Sequence, residues 1–192
     1  MIQMSLSLHY FLAVPIPDKL KKSLSTYSNE LKIKFPFERW VHPEDVHITL
    51  AFLGKTEEEK LQQLHKSLIG IKNNHTTFEI TLQSIGTFGK IQSPRIFWIG
   101  VKKNEYLSQL RDQVYKTCME VGYELDTRPY SPHVTLARKW KGKLFEEESL
   151  EDYNENRETF VCDKFVLYKT NLHSMPKYEV VQTYNLQQGE EF

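Results

Sequence analysis

The stretch VHPEDVHITLAFLG (residues 41–54) decides the fold, because the chain writes its core again in RPYSPHVTLARKW (128–140). Each copy sets His, one apolar residue, Thr and Leu at the head of an alternating run. Alternation with period two is the mark of a half-buried strand. His47, Thr49 and Ala51 therefore share one face, and Ile48, Leu50 and Phe52 the other. In the second copy His133 and Thr135 share a face, while strict alternation puts Arg138 opposite them.

The two histidines lie 86 positions apart, and this offset brings other features into register. The strand-like HYFLAVPI (9–16) falls on RIFWIGV (95–101), Asp18 falls on Asn104, and Pro43 on Pro129. Asp18 and Asn104 are both residues that favour helix N-caps. Leu20, Leu24, Tyr27 and Leu31 follow the first at helical spacing; Leu107, Leu110, Val114, Cys118 and Val121 follow the second. A shift common to strand, cap, helix, proline and His-x-Thr strand indicates a duplicated unit.

Between and after the copies, Thr56 and Glu59 form a capping-box pattern ahead of a helix with Leu61, Leu64, Leu68 and Ile71 on one side. A strand is expected at 78–85, a loop at GTFGKIQSP (86–94), and a closing hairpin from 160–172 and 177–186. The fold class expected is α+β: a bilobal, pseudo-two-fold duplicated fold. Two antiparallel sheets would line a central cleft with helices on their outer faces, in a single domain over residues 1–192.

Composition narrows the function classes. The chain has 192 residues, 40% hydrophobic and 26% charged, enough for a globular core and a rigid site. Its formal net charge of zero argues against a protein that coats long nucleic acid. A basic run from Arg128 to Lys143 precedes an acidic one from Glu146 to Glu158. Cys118 and Cys162 are far apart and read as buried reduced thiols, and the N-terminal segment lacks the pattern of a cleaved leader. A cytoplasmic, monomeric protein that does not enter membranes is expected.

Seven His and thirteen Thr would yield roughly half a His-x-Thr match by chance, so the bare pattern is weak. His75-Thr76-Thr77 is such a match and reads as a turn before the 78–85 strand. The other two gain weight from their shared frame and common offset. Residues i and i+2 of a strand lie about 6.6 Å apart on one face, so imidazole and hydroxyl can reach one small anion. In-line displacement at phosphorus needs a base for the attacking oxygen, an acid for the leaving oxygen, and donors for the remaining oxygens. One His and one Thr from each half supply all of these.

With HYFLAVPIPD near the start and SPRIFWIGV in the middle, the pair HITL and HVTL resembles the two-histidine phosphoesterase superfamily. Within it the chain is most similar to RNA 2′,3′-cyclic phosphodiesterases, also called 2′-5′ RNA ligase-like proteins. The resemblance implies metal-independent opening of a 2′,3′-cyclic phosphate, on RNA ends or nucleosides, to a 2′-phosphomonoester without any cofactor. Ligation through a 2′-5′ linkage would be a side activity. It implies His47 as general acid, His133 as general base, Thr49 and Thr135 on the phosphate oxygens, and Arg138 on base or phosphate. Tyr130, Phe88 and Trp140 are candidates for stacking a nucleobase. The chain departs from the family in having His9 where relatives often carry Arg, and Gly89 after Phe88. Rival readings are a metal-dependent phosphodiesterase, a noncatalytic RNA-end-binding module, and a two-histidine enzyme for another small cyclic phosphate.

Overall fold

A computed structural model of the chain describes residues 8–146, 150, 151, 153 and 157–189. The first half runs β1 (His9–Pro15), α1 (Asp18–Lys34), β2 (Phe37–Trp40), a 3-10 turn (Pro43–Asp45), β3 (His47–Lys55) and α2 (Glu58–Lys72). There follow β4 (Phe78–Lys90), β5 (Ser93–Val101), α3 (Glu105–Glu120), β6 (His133–Trp140), β7 (Glu158–Cys162), β8 (Lys164–Thr170) and β9 (Tyr178–Asn185). The offset of 86 places β1 on β5, α1 on α3 and β3 on β6.

The strands pair antiparallel in the order β7-β4-β5-β6-β3-β1-β8-β9, with β2 attached to β6. From the middle outward, β3, β1, β8 and β9 on one side answer β6, β5, β4 and β7 on the other. The α+β class holds, but the two expected sheets are continuous, joined through the single pair Ile48↔Val134. Both of these side chains are fully buried, at 0% exposure. They anchor the crossing in the core, and away from it the two strands diverge.

The predicted helix stripes are the buried ones: Leu20, Leu24, Tyr27 and Leu31 in α1, Leu61, Leu64, Leu68 and Ile71 in α2, and Leu107, Leu110, Val114 and Cys118 in α3. Asn104 caps α3 by accepting from the Leu107 amide at 2.9 Å. Asp18 instead occupies the first turn of α1, behind an N-cap Pro17 whose backbone is extended. There its charge meets the positive end of the helix dipole. The capping box is not formed, since the N-cap of α2 is Glu57 and no side chain caps it.

Two strand expectations need correction. The stretch 86–94 is not a loop: β4 and β5 form one long hairpin that turns at Ile91 and Gln92. Its glycines make room for neighbours. A Cβ on Gly86 would come within 2.4 Å of the Trp98 ring, and one on Gly89, at φ +119°, within 2.8 Å of the Arg95 amide nitrogen. The stretch 160–172 is two strands broken at Asp163, with β7 on β4 in one half and β8 on β1 in the other. The β8–β9 hairpin does form.

The main apolar cluster draws on both halves, from Leu12, Leu24 and Ile48 to Phe97, Val134 and Phe165. A smaller one, Phe11, Ala13, Val166 and Tyr168 with Tyr178 against it, lies on the other face of β1 and β8. Cys118 and Cys162 are free and buried, and burial pushes both thiols up to about 12. No helix among the described residues is long and apolar enough to cross a membrane. Much of the acidic run Glu146 to Glu158 lies outside the described residues.

Candidate active site

The site begins with the pair Ile48↔Val134. Both side chains point into the core, so their sequence neighbours point the other way. Antiparallel register carried one residue either side sets His47 across from Thr135 and Thr49 across from His133. Four polar side chains thus stand on one face around one backbone crossing. In such an array the histidines are diagonal neighbours about 7–8 Å apart, leaving room for a tetrahedral group between them.

Each imidazole is aimed by the same device. His47 Nδ1 lies 2.7 Å from the carbonyl oxygen of Asp45, and His133 Nδ1 lies 2.7 Å from that of Ser131. A carbonyl only accepts, so Nδ1 carries the proton in both rings and Nε2 is left for chemistry. The segments that set these carbonyls differ: a 3-10 turn opened by Pro43 precedes β3, whereas before β6 the Pro132 carbonyl accepts from the Val101 amide.

Aromatic walls enclose the two rings. His47 contacts Phe11, Tyr178 and Tyr168, with ring centroids 4.8, 5.2 and 6.0 Å away. His133 contacts Phe88 at 5.0 Å and Trp98 at 6.3 Å. Loss of hydration pulls His47 down to about 4, despite the opposing Asp45 carbonyl bond; Arg138 and His133 add to the lowering. His133 is lowered chiefly by the same dehydration, and Arg138 contributes. Both residues are only partly buried. Two neutral imidazoles are therefore favoured at neutral pH.

Strict alternation misplaced Arg138. A bulge at Leu136 interrupts the β5–β6 register between Thr135 and Ala137, and Leu136 and Ala137 are both buried. The extra residue returns Arg138 to the face of His133 and Thr135, where its charge acts on His47, His133 and Tyr178. The same irregularity recurs at Leu50 in β3, which puts Phe52 at the equivalent position, 56% exposed. Among the described residues no carboxylate pairs with Arg138, and no hydrogen bond occupies the Thr49 or Thr135 hydroxyl.

Phe88 lies at the site, beside His133. Tyr130 plays a different part, since its hydroxyl donates to the Thr49 carbonyl at 3.1 Å and Arg111 lies over its ring. It ties the approach to β6 onto β3. Trp140 packs edge-on against Phe37 and Phe145 in the core, so it is not placed to stack a base. His42 and Arg128 are turn residues, the first accepting from the Glu44 amide and the second paired with Asp126. His75 is buried and bonds Gln113 through Nε2, so its His-x-Thr match is structural; the turn expected at 75–77 lies instead at Asn73 and Asn74, and Thr76 bridges to Gln187.

Sequence reasoning missed Phe11, Trp98, Tyr168, Tyr178 and Asp45. The buried Asp45 carboxylate accepts from the Lys177 amide at 2.9 and 3.0 Å and from the Tyr178 amide at 3.1 Å. One residue thereby orients His47 through its carbonyl and the Tyr178 wall through its side chain. Its position two before the His was the available signal. Among the described residues no three His, Cys, Asp or Glu side chains gather as a metal-binding group.

The family model described as the 2′-5′ RNA ligase superfamily matches residues 17–173. The chain belongs to the 2′-5′ RNA ligase superfamily. An RNA 2′,3′-cyclic phosphodiesterase of Bacillus subtilis is 34% identical over 93% of this chain and 96% of its own length. One of Geobacillus stearothermophilus is 41% identical over 93% of this chain, which spans 57% of that relative. Among solved structures, E. coli LigT complexed with 3′-AMP superposes with a TM-score of 0.79 at 21% identity, covering 94% of this chain and 98% of that one. TT0787 of Thermus thermophilus does so at 0.75 and 22%, over 95% and 100%. At these identities the structural likeness shows the fold. For a member of this superfamily, the sequence expectation of a duplicated α+β architecture holds.

Proposed function

We propose that this chain is an RNA 2′,3′-cyclic phosphodiesterase that opens 2′,3′-cyclic phosphate ends, on RNA or on nucleosides, to 2′-phosphomonoesters. The observation that carries the proposal is the diagonal pair of imidazoles, each with Nδ1 held by an i−2 carbonyl and Nε2 free. The relatives named above support the choice of substrate.

In the proposed reaction the cyclic phosphate sits between the histidines, its free oxygens on the Thr49 and Thr135 hydroxyls and Arg138. Water attacks phosphorus opposite O3′. His133 Nε2 takes the water proton, the P–O3′ bond breaks, and protonated His47 gives its Nε2 proton to O3′. Proton exchange with solvent then resets the pair. The anionic substrate raises both imidazoles, against the lowering that burial causes, supplying the single proton the cycle needs. Phe88 and Trp98 on one side and Tyr178 on the other, all only partly buried, offer faces for the nucleoside. Joining of RNA ends through a 2′-5′ linkage would be the same ring opening with a 5′-hydroxyl in place of water.

Incubation with the four nucleoside 2′,3′-cyclic phosphates, with and without EDTA, tests the proposal. A 2′-phosphate product formed equally in both is expected; no product, a 3′-phosphate, or abolition by EDTA would overturn it. A substrate with sulfur at the 3′ leaving position needs no acid. It should rescue His47→Ala and leave His133→Ala slow, and the opposite pattern would exchange the two roles.

A further inference from the structure

Arg138 is not alone on its rim. In the β2–β6 ladder Arg39 stands directly opposite Arg138, and residues directly opposite in an antiparallel pair share a face with Cβ atoms about 4.5–5.5 Å apart. Like charges so placed destabilise a sheet, yet the chain sets two arginines there. Acidic relief is slight: Glu38 lies 3.5 Å from Arg39 Nε and also serves Lys139 at 3.7 Å. The Arg39 side chain is 64% exposed, so its planar donors remain available. Arg138, across the ladder from it, influences the protonation of both histidines.

We infer that Arg39 forms a second phosphate subsite, which holds the phosphodiester joining the terminal nucleotide to the rest of an RNA strand while Arg138 serves the reacting phosphate. The inference rests on the proposed function. A guanidinium suits this place because its fork binds two phosphate oxygens at once. Arg39 stands on the β6 edge that β3 also joins, at Arg138, four positions along β6 from the Ile48↔Val134 pair; adjacent strands lie about 4.8 Å apart, so a second positive charge stands beside that of Arg138 within reach of the next phosphate of a strand. Arg39 would then make the enzyme prefer an RNA end over a free nucleoside cyclic phosphate.

The test compares a nucleoside 2′,3′-cyclic phosphate with a dinucleotide ending in the same group. Wild-type protein should show a higher kcat/KM on the dinucleotide, and Arg39→Gln should lose about tenfold on it while staying within about twofold on the mononucleotide. The slope of log kcat/KM against log salt should fall by about 0.7 for the dinucleotide alone. Glu38→Gln, which removes the competing carboxylate, should strengthen the dinucleotide preference. Equal loss on both substrates, or no loss on either, overturns the subsite. Equilibrium binding of the 2′-phosphorylated dinucleotide and mononucleotide separates this from the reaction itself. If neither cyclic substrate turns over, the proposed function fails, and the subsite still stands or falls on whether Arg39→Gln selectively weakens the dinucleotide.

Discussion

Replacing Asp45 by Ala should damage both the stability of the protein and the aim of His47. The carboxylate is buried and accepts from two backbone amides, those of Lys177 and Tyr178, at 2.9–3.1 Å. Hydrogen bonds to a charged group contribute about 1.5–3 kcal/mol each, and a buried donor left unpaired costs about 1–3 kcal/mol. Two amides lose their partner, so the expected loss is about 3–5 kcal/mol. For a chain of this size that lowers Tm by about 10 °C. The Asp45 carbonyl survives the substitution, but release of the strand that carries Tyr178 removes one wall of the His47 pocket. A displacement of about 1 Å there is worth up to a hundredfold in turnover. Asp45→Asn keeps one acceptor oxygen and should lose about half the stability. Thermal and urea unfolding give the first quantity, and kcat on a nucleoside cyclic phosphate the second. An Asp45→Ala protein within about 0.5 kcal/mol of wild type, with unchanged kcat, would refute the assignment.

Other outcomes follow from the same geometry. His47→Ala and His133→Ala should each lower turnover by about 10²–10⁴, and the double variant should lose far less than the product because the two act as a unit; a multiplicative double variant would contradict a shared reaction. His47 is held below its ordinary 6.5, so the unfolded chain binds more protons under mildly acidic conditions. Its contribution to stability is complete above about pH 6.5 and declines as pH falls toward 4, by at most about 3 kcal/mol. His47→Asn should flatten that decline in urea titrations between pH 7 and 4. Binding of a 2′-phosphomonoester at pH 7 should take up close to one proton, read by calorimetry in buffers of different ionisation heat; no uptake would mean the pair is already protonated when empty. Gly89→Ala should strain the hairpin, since φ is +119° and the Arg95 backbone is 2.8 Å from the added carbon, and a cost of about 1–3 kcal/mol is expected in unfolding.

Strand and helix identity was legible wherever one face was buried. The stripe of Leu20, Leu24, Tyr27 and Leu31 carries its own periodicity and is borne out; the alternation from His47 holds only as far as Leu50, where the bulge buries Ala51 and exposes Phe52, opposite to the faces that strict alternation assigns them. Duplication was legible because its offset is common to several elements. The β4–β5 hairpin was misread because glycine serves both turns and crowded strands, and only the placement of Trp98 and Arg95 distinguishes them. Arg138 was placed on the wrong face because a bulge adds a residue without leaving a mark in the sequence. The walls around His47 were invisible because Phe11, Tyr168 and Tyr178 come from β1, β8 and β9, and only the strand order brings them together.

The strand order also constrains how such a protein could arise. A single unit would own one imidazole and one hydroxyl, with no counterpart across the crossing strand. Two copies meeting head to head at the Ile48↔Val134 position complete the tetrad at a stroke. Neither half therefore holds a whole site, and the groups meet only where the halves join. The halves are not equal there, since Phe52 and Arg138 stand at equivalent positions.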